Sequence, residues 1–366
     1  MPLRLSILDQ SPISEGMQPA AALHNSVDLA RHAEALGYHR YWAAEHHGTP
    51  MLACNSPEVL IGAIAAATEE IRVGSGGVML PHHSPLKVAE TFSMLSGLHP
   101  DRIDLGLGRA PGTDQVTALA LQRDRRRQVA DDFREHLAEL LGYLDGRLPA
   151  DHPFGRLAGT LPGRPHRPEP WLLGSSPQSA IWAAELGLPY CFADFINSNG
   201  AEIVDDYRGR FAGSERHPAP QAAIAIVAIC AETDEEAGRL AASHRMAFSL
   251  LRQGRLVAVP TIEQGLRYAE GRPKRPSSRR FVLGSPATVR AGIEEAAEEY
   301  GVDEVFLLTI TYEHEARRRS YELIAEELGL AAAGTSVTAV GTRTPSAKPP
   351  PQPTTCTATS TSSATA

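Results

Sequence analysis

Three ionisable side chains stand in a row at Glu45-His46-His47. Imidazole gains and loses a proton near neutral pH, so such a histidine can act as an acid or base, or can stabilise an anion that forms during a reaction. The residues that lead up to this run, 40–45, have the character of a strand, along which side chains alternate in direction. We therefore expect only one of the two histidines to point directly into a site. A hydrogen-bonded structural histidine and a metal ligand are the alternatives.

A second histidine pair, His82-His83, could complete a metal site with the first. Metal-dependent hydrolase barrels usually carry a His-x-His on their first strand, and this chain has none there. The four cysteines are isolated from one another in the sequence, at Cys54, Cys191, Cys230 and Cys356. Since no CxxC pair exists, neither a zinc site nor a disulfide framework is indicated. The sequence predicts no metal.

Two features could bind a phosphate. Gly174-Ser175-Ser176-Pro177-Gln178-Ser179 is typical of a strand-to-helix turn whose free N–H groups attract an anion, and Arg109 closes another strand candidate. A guanidinium can hold a phosphate with paired hydrogen bonds. A well-capped helix and a surface salt-bridge arginine are the simpler interpretations. Because the two strands concerned are the fourth and the fifth, we expect Arg109 and Ser176 to face the same space.

A glycine pair, Gly76-Gly77, interrupts the third strand candidate, where glycine lowers strand stability. One interpretation is a β-bulge. The other is a flat stretch of backbone against which a ring system packs.

Eight strand candidates alternate with helical patterns, at residues 3–9, 40–45, 71–80, 103–107, 170–173, 189–193, 222–230 and 303–309. Such alternation favours a parallel sheet, because parallel neighbours need crossover helices. Eight units suggest a closed barrel with its site at the carboxyl ends of the strands. The rival is an open doubly wound sheet, but no GxGxxG follows the first strand. We predict an α/β fold, a single (β/α)₈ TIM barrel with insertions over residues 1–330.

Helices are expected at 19–36 and 125–144 on the spacing of their apolar residues. Several others begin with Ser-Pro, in which serine caps the free N–H groups and proline fits the first helical position, at Ser56-Pro57, Ser84-Pro85, Ser176-Pro177 and Ser285-Pro286. Two connections are too long for simple units: 145–169, and the segment between the seventh and eighth strands with its basic loop 271–280. Long insertions are often lids or binding loops.

Bulk composition excludes several classes of protein. The net charge of −8 argues against non-specific nucleic-acid binding, and no apolar run approaches the length of a membrane helix. The chain opens directly into a strand candidate, so we expect no signal peptide and a cytoplasmic location. Residues 331–366 are mostly Thr, Ser, Ala, Pro and Gly and contain no aromatic residue. We expect that tail to be disordered, since it cannot bury enough apolar surface to offset its chain entropy.

In the order of its motifs the chain resembles the luciferase-like monooxygenases, the family of the bacterial luciferase alpha subunit. The resemblance extends from Leu5 to Leu328. It is carried by residues 41–47 (YWAAEHH), 73–81 (VGSGGVMLP) and 101–109 (DRIDLGLGR), and by Gly284-Ser285-Pro286 followed by Asp303-Glu304-Val305.

The resemblance implies a (β/α)₈ barrel that uses reduced FMN, supplied by a separate flavin reductase, and O₂ to oxygenate an organic small molecule through a flavin hydroperoxide. Transferred to the matching positions, it implies that the FMN phosphate is held by Arg109, Ser176 and Ser179. Gly76-Gly77 would lie against the isoalloxazine ring, where the family often has a non-prolyl cis peptide. His46 would be the catalytic histidine with Glu45 beside it, and strand alternation would turn His47 away.

Two other functions stay open at this point. A barrel of the same kind could use a deazaflavin coenzyme for hydride transfer without activating O₂, or could bind flavin without turnover. The sequence names neither the organic substrate nor the oligomeric state, so a homodimer stays open too. The segment 252–280 corresponds to a mobile lid in relatives, but its residues cannot be aligned.

Overall fold

A parallel ring of strands forms the centre of the protein. The computed structural model describes residues 3–109, 114–121, 132–270 and 280–330. Its nine strands are β1 (Arg4–Asp9), β2 (Arg40–Ala43), β3 (Arg72–Met79), β4 (Ile103–Gly108), β5 (Glu169–Gly174), β6 (Tyr190–Ala193), β7 (Ala222–Cys230), β8 (Phe281–Gly284) and β9 (Glu304–Leu308). Neighbours pair in the order β1 to β7, then β9, which pairs back with β1. This ring of eight strands is the predicted closed barrel.

The eight strand candidates all lie in this ring, with ends within two residues of those predicted. The additional strand, β8, was not predicted. It pairs with the carboxyl-terminal half of β7, from Val227 to Cys230, while the half from Ile224 to Val227 pairs with β9. Because β7 is nine residues long and buried throughout, it can hold a ring neighbour along one half and an extra strand along the other.

Helices connect the strands and cover the outside of the ring. They are α1 (Pro19–Leu36), α2 (Pro57–Ala67), α3 (Pro85–Leu98), α4 (Gln115–Leu121), α5 (Phe133–Asp145), α6 (Pro177–Glu185), α7 (Ala201–Arg210), α8 (Asp234–Leu251), α9 (Ile262–Ala269), α10 (Pro286–Tyr300) and α11 (His314–Leu328). The prediction for α1 is confirmed at both ends. For the helix predicted over 125–144, the structure confirms the part that lies in α5, and residues 125–131 lie outside the described residues. None of the described helices is long and apolar enough to cross a membrane.

The four Ser-Pro starts are confirmed as helix starts but not as side-chain caps. Proline stands at the first position of α2, α3, α6 and α10, where its missing N–H costs nothing. In none of these four helices does the preceding serine hydroxyl accept a hydrogen bond from the first turn. The predicted serine caps were therefore wrong, since a pre-set proline is enough to begin the helix.

Inside the ring, the amino-terminal end is polar and the middle is aromatic. Arg40, buried, donates to Asp104 at 2.8 Å and to Glu304 at 3.0 Å. Above this network Trp42 stacks on Phe306, with ring centroids 4.0 Å apart. These layers fill the barrel, so that only its carboxyl end is left to form a site.

The two long insertions lie at opposite ends of the barrel. Residues 146–168 follow α5 and contact the segments before β4, as in the bond from the Gly163 N–H to Ser93 Oγ and the pair His166–Asp101. This first insertion therefore lies at the amino-terminal end, away from the carboxyl ends of the strands. The second contains α8 and α9, and Val259 between them pairs with Ser14 at the carboxyl end. Residues 271–279 and the tail 331–366 lie outside the described residues.

Candidate active site

The carboxyl ends of β2 and β3 place one buried carboxylate among several donors. Glu45 is 1% exposed. Its Oε2 accepts the backbone N–H of Met79 at 2.8 Å, and its Oε1 lies 2.8 Å from Nε2 of His47 and 2.9 Å from Nε2 of His83. Burial alone would raise the pKa of Glu45, but the bonds from His83, His47 and Met79 outweigh it and lower that pKa. Glu45 is therefore held as an anion.

His46 lies beside this carboxylate and bonds to other groups. Its backbone N–H donates to the Cys54 carbonyl at 2.9 Å, and its own carbonyl accepts from Asn55 at 2.7 Å. The ring Nδ1 is buried without a hydrogen-bond partner in the described part of the chain. Burial lowers the pKa of His46 to about 4, against an opposing effect of the Ala44 backbone. The imidazole is neutral at neutral pH.

The predicted support of His46 by Glu45, with His47 turned away, was wrong. β2 ends at Ala43, two residues earlier than predicted, so side-chain alternation does not extend to His47. The chain then turns, and His47 rather than His46 bonds to Glu45.

The glycine pair at the end of β3 forms a bulge and contains a cis peptide bond, as predicted. A side chain at Gly76 would collide with Leu8 and Trp42 inside the barrel, and a Cβ at Gly77 would lie 2.7 Å from the Gly106 carbonyl oxygen. Close packing against β1, β2 and β4 therefore requires glycine at both positions. The bulge interpretation is confirmed, and a role for this backbone in binding a ring stays a prediction.

Arg109 lies beside α6, and its closeness to Ser176 at the start of that helix stays a prediction. The Arg109 guanidinium lies 5.4 Å from the ring centre of Trp182 in α6, and Arg109 is exposed. Ser176 is exposed at the helix start, while Ser179 is buried and donates to the Ser176 carbonyl at 2.8 Å. The Ser179 hydroxyl also lies 3.0 Å from that of Tyr190. The Ser179 bonds thus hold the turn at the start of α6 in shape, on the helix that Arg109 contacts.

An apolar cluster borders the carboxyl end on the side of the ring opposite to β4 and β5. Its buried members come from β7, β9, α8 and the loops after β2, β9 and α8, and are Met51, Leu52, Val227, Ala247, Val259, Leu308 and Ile310. His244 of α8 stacks on Phe248, which packs against this cluster, with ring centroids 4.2 Å apart. Burial lowers the pKa of His244 to about 3. Sequence reasoning missed this wall, although the apolar spacing of 237–251 would have placed His244 on the buried face of a helix.

Asp194, just after β6, is a fully buried carboxylate to which the sequence analysis gave no role. It accepts from Tyr300 at 2.8 Å and from Arg280 at 3.5 Å. Burial raises its pKa. These contacts tie β6 to α10 and to the residue before β8, so their role is to anchor the added strand.

Two clefts lie away from the candidate site and are lined by none of its residues. One, of about 380 Å³, lies beside Asp145, Arg164 and His166, and another, of about 690 Å³, lies beside Arg4 and Arg208 near the amino-terminal end. Among the residues that the structure describes, no group of three or more His, Cys, Asp or Glu side chains is arranged to hold a metal ion.

Comparisons with known proteins point to one family. The model of the luciferase-like monooxygenases matches residues 3–304. A luciferase-like monooxygenase of Escherichia coli K12 is 40% identical over 89% of this chain and 98% of its own length. The N-acetyl-S-alkylcysteine monooxygenase of Bacillus subtilis is 38% identical over 88% of this chain and 98% of its own length.

Solved structures agree. Apo-MsnO8 is 40% identical, covers 90% of this chain and 99% of its own, and superposes with a TM-score of 0.83. A second structure is the oxygenating constituent of 3,6-diketocamphane monooxygenase from Pseudomonas putida in complex with FMN. It is 20% identical, covers 90% of this chain and 98% of its own length, and has a TM-score of 0.69. The second likeness shows the fold alone.

Proposed function

We propose, because the chain belongs to the luciferase-like monooxygenase family, that it is an FMN-dependent monooxygenase acting on an organic small molecule. A separate flavin reductase would supply the reduced FMN. When bound, that cofactor would react with O₂ to give a flavin hydroperoxide, the oxygen donor for the substrate. The cytoplasmic location and a homodimer stay predictions.

The observation that carries this proposal is the position of Arg109 beside α6. Two of the Ser-Pro helices without a side-chain cap, α3 and α6, follow strands that pair with the strand of Arg109, and the Arg109 guanidinium lies over Trp182 of α6. The free N–H groups of a first turn and a guanidinium together suit a phosphate dianion. We assign the FMN phosphate to Arg109, Ser176 and the α6 turn, with Ser179 holding that turn in shape.

The backbone at Gly76-Gly77 is our candidate for the wall beside the isoalloxazine ring. It lies on β3, next to β4, whose end carries Arg109. The apolar cluster on the far side of the ring of strands would then receive the substrate. Its apolar side chains exclude water, which protects a reactive oxygenated cofactor from hydrolysis. This supports a substrate with a substantial apolar part, in keeping with the S-alkyl group in the name of one relative.

His46 would act as a base or as a hydrogen-bond acceptor. Since burial lowers its pKa to about 4, the imidazole is neutral at neutral pH and offers one N–H donor and one acceptor nitrogen, and its Nδ1 lacks a partner in the described residues. An unsatisfied buried ring nitrogen just beyond a barrel strand suits contact with a bound ligand.

A deazaflavin coenzyme is the competing cofactor. F420-dependent tetrahydromethanopterin reductase has the same fold, but at 16% identity and a TM-score of 0.59 that likeness carries no cofactor with it. The relatives at 38–40% identity are named as monooxygenases, which favours FMN.

Stopped-flow mixing of the FMNH₂-loaded protein with oxygenated buffer tests the proposal. We expect a flavin hydroperoxide absorbance that persists far longer than the oxidation of free FMNH₂. Oxidation at the rate of free FMNH₂, together with hydride transfer from a bound deazaflavin, would replace the proposal by the competing one. Neither reaction, despite tight FMN binding, would indicate a flavin-binding protein without turnover.

A further inference from the structure

Two imidazoles share one oxygen of a buried carboxylate. Glu45 Oε1 lies within 2.9 Å of Nε2 in both His47 and His83, while Oε2 is occupied by the Met79 N–H. The side chain of Glu45 is fully buried, that of His47 is 13% exposed and that of His83 is 33% exposed. The three side chains therefore run from the buried end of β2 towards solvent.

This geometry fixes the hydrogen positions on both rings. An ionised carboxylate only accepts hydrogen bonds, so each Nε2 must carry a hydrogen. The Nδ1 atom of each ring is then the atom that gains or loses a proton. Protonation of one ring therefore happens without breaking its bond to Glu45.

The negative charge of Glu45 is divided between the two rings. The bond from Glu45 raises the pKa of His83 against the effect of burial, and Glu58 of α2 adds to the increase. His82, in the same turn, lies edge-on to His47 with ring centroids 6.4 Å apart. Groups that share a charge titrate as a set, so the state of one ring alters the other. The neutral His46 ring adds no positive charge to this set.

We propose that His83 is a positioning residue of the candidate active site, an inference that rests on the function proposed above. Bonded to the same oxygen as His47, His83 sets how much of the Glu45 charge His47 meets. A protonated His83 compensates the Glu45 charge, whereas a neutral His83 leaves the whole of that charge facing the His47 ring. The charge state of His83 thus sets the electrostatic field at His47, at the edge of the site.

Histidine-ring NMR on the full-length protein without cofactor tests the network. We expect the titration midpoint of His83 to move down in Glu45→Gln, which removes the negative charge, and up in His47→Gln, where no second imidazole shares that charge. His99→Gln, at the amino-terminal end of the barrel, is the matched control and should leave it unchanged. If Glu45→Gln does not fold, the His83 midpoint in His47→Gln alone tests the network. The same His83 midpoint in His47→Gln and in the wild type overturns the proposal.

The pH profile of the FMNH₂ reaction with O₂ tests the positioning role. His83→Gln keeps a donor to Glu45 without a titrating charge, so FMN affinity should be retained while the limb of the profile that follows the His83 proton is lost. A profile that matches the wild type, in a variant that binds FMN normally, overturns the role. A protein with no FMNH₂-dependent reaction at all refutes the proposed function, and with it the positioning role, while the NMR midpoints still report whether the network exists.

Discussion

Two buried carboxylate networks, one at each end of the barrel, are neutralised by different cations. At the amino-terminal end, Asp104 and Glu304 are bonded to Arg40, and Asp104 also accepts from Arg72 at 3.0 Å. At the carboxyl end, Glu45 is bonded to two histidines. A guanidinium stays charged at every physiological pH, whereas an imidazole does not.

This difference separates a network of fixed charge from one whose charge can change. Arg40 holds the amino-terminal network in one state, which suits the closed base of a barrel, whereas His83, bonded to Glu45, can gain or lose a proton. Buried polar atoms without a hydrogen-bond partner in the described part of the chain occur in both regions, among them Nδ1 of His46 and Oε2 of Glu304. The comparison predicts that substitutions at the first end affect folding and those at the second affect chemistry.

The largest effect on stability is expected for Arg40→Met. The variant leaves Glu304 and Asp104 buried with less compensation, and removing one partner of a buried ion pair costs about 3–5 kcal/mol. Urea denaturation measures this free energy of unfolding. Arg290→Met, which removes an exposed pair with Glu294, is the control and should change it by less than about 0.5 kcal/mol. Equal changes in the free energy of unfolding for Arg40→Met and Arg290→Met would contradict a structural role for the buried Arg40 network.

A large effect on turnover with little effect on stability is expected for His46→Ala. A positioned base contributes about 10²–10⁴-fold to a rate, so oxygenation should fall within that range. FMN should still bind, and more hydrogen peroxide should appear per NADH in an assay with a flavin reductase and a long-chain aldehyde as trial acceptor. His24→Ala, exposed on α1, is the control. A wild-type ratio of oxygenated product to NADH consumed in the His46 variant would place the proton chemistry at another residue.

A moderate effect on affinity is expected for Arg109→Ala. Loss of a charge-assisted phosphate contact costs about 1.5–3 kcal/mol, which is about tenfold or more in Kd. Anaerobic titration with FMNH₂ measures it. Arg134→Ala, an exposed arginine paired with Glu185 at the far end of α6, should leave Kd unchanged. Equal affinity in both variants would exclude Arg109 from the phosphate site.

The smallest effect is a change in the pH dependence of stability. The pKa of His46 is lowered by burial to about 4, so between the ordinary histidine value of 6.5 and about 4 the unfolded chain binds a proton that the folded chain does not. Wild-type stability should therefore decline as the pH falls through this window. His46→Gln should decline less, as measured by urea denaturation at pH 7 and pH 5. Parallel declines would show that His46 is protonated in the fold.

Most of the fold was predictable because its signals are local. Each ring strand is a short apolar run, and each proline start is a single residue with a fixed φ. β8 was missed because its four residues become a strand only through pairing with β7. The serine caps were wrong because a serine at a helix start has other possible rotamers, which the sequence does not choose.

The candidate site was predictable in its members but not in its bonds. Arg109 lies beside Trp182 of α6 because the neighbouring parallel strands β4 and β5 end at the same edge of the sheet. The pairing of Glu45 with His83 crosses from the loop after β2 to the turn after β3, over 38 residues. Side-chain alternation cannot predict such a contact once the chain has left the strand at Ala43.

A crystal structure of the protein soaked with FMN tests the central claim most directly. The account predicts the phosphate at Arg109 and the first turn of α6, and the isoalloxazine ring beside Gly76-Gly77 within reach of His46. Occupancy of the cleft beside Arg4 and Arg208 instead, with the carboxyl end empty, would contradict it.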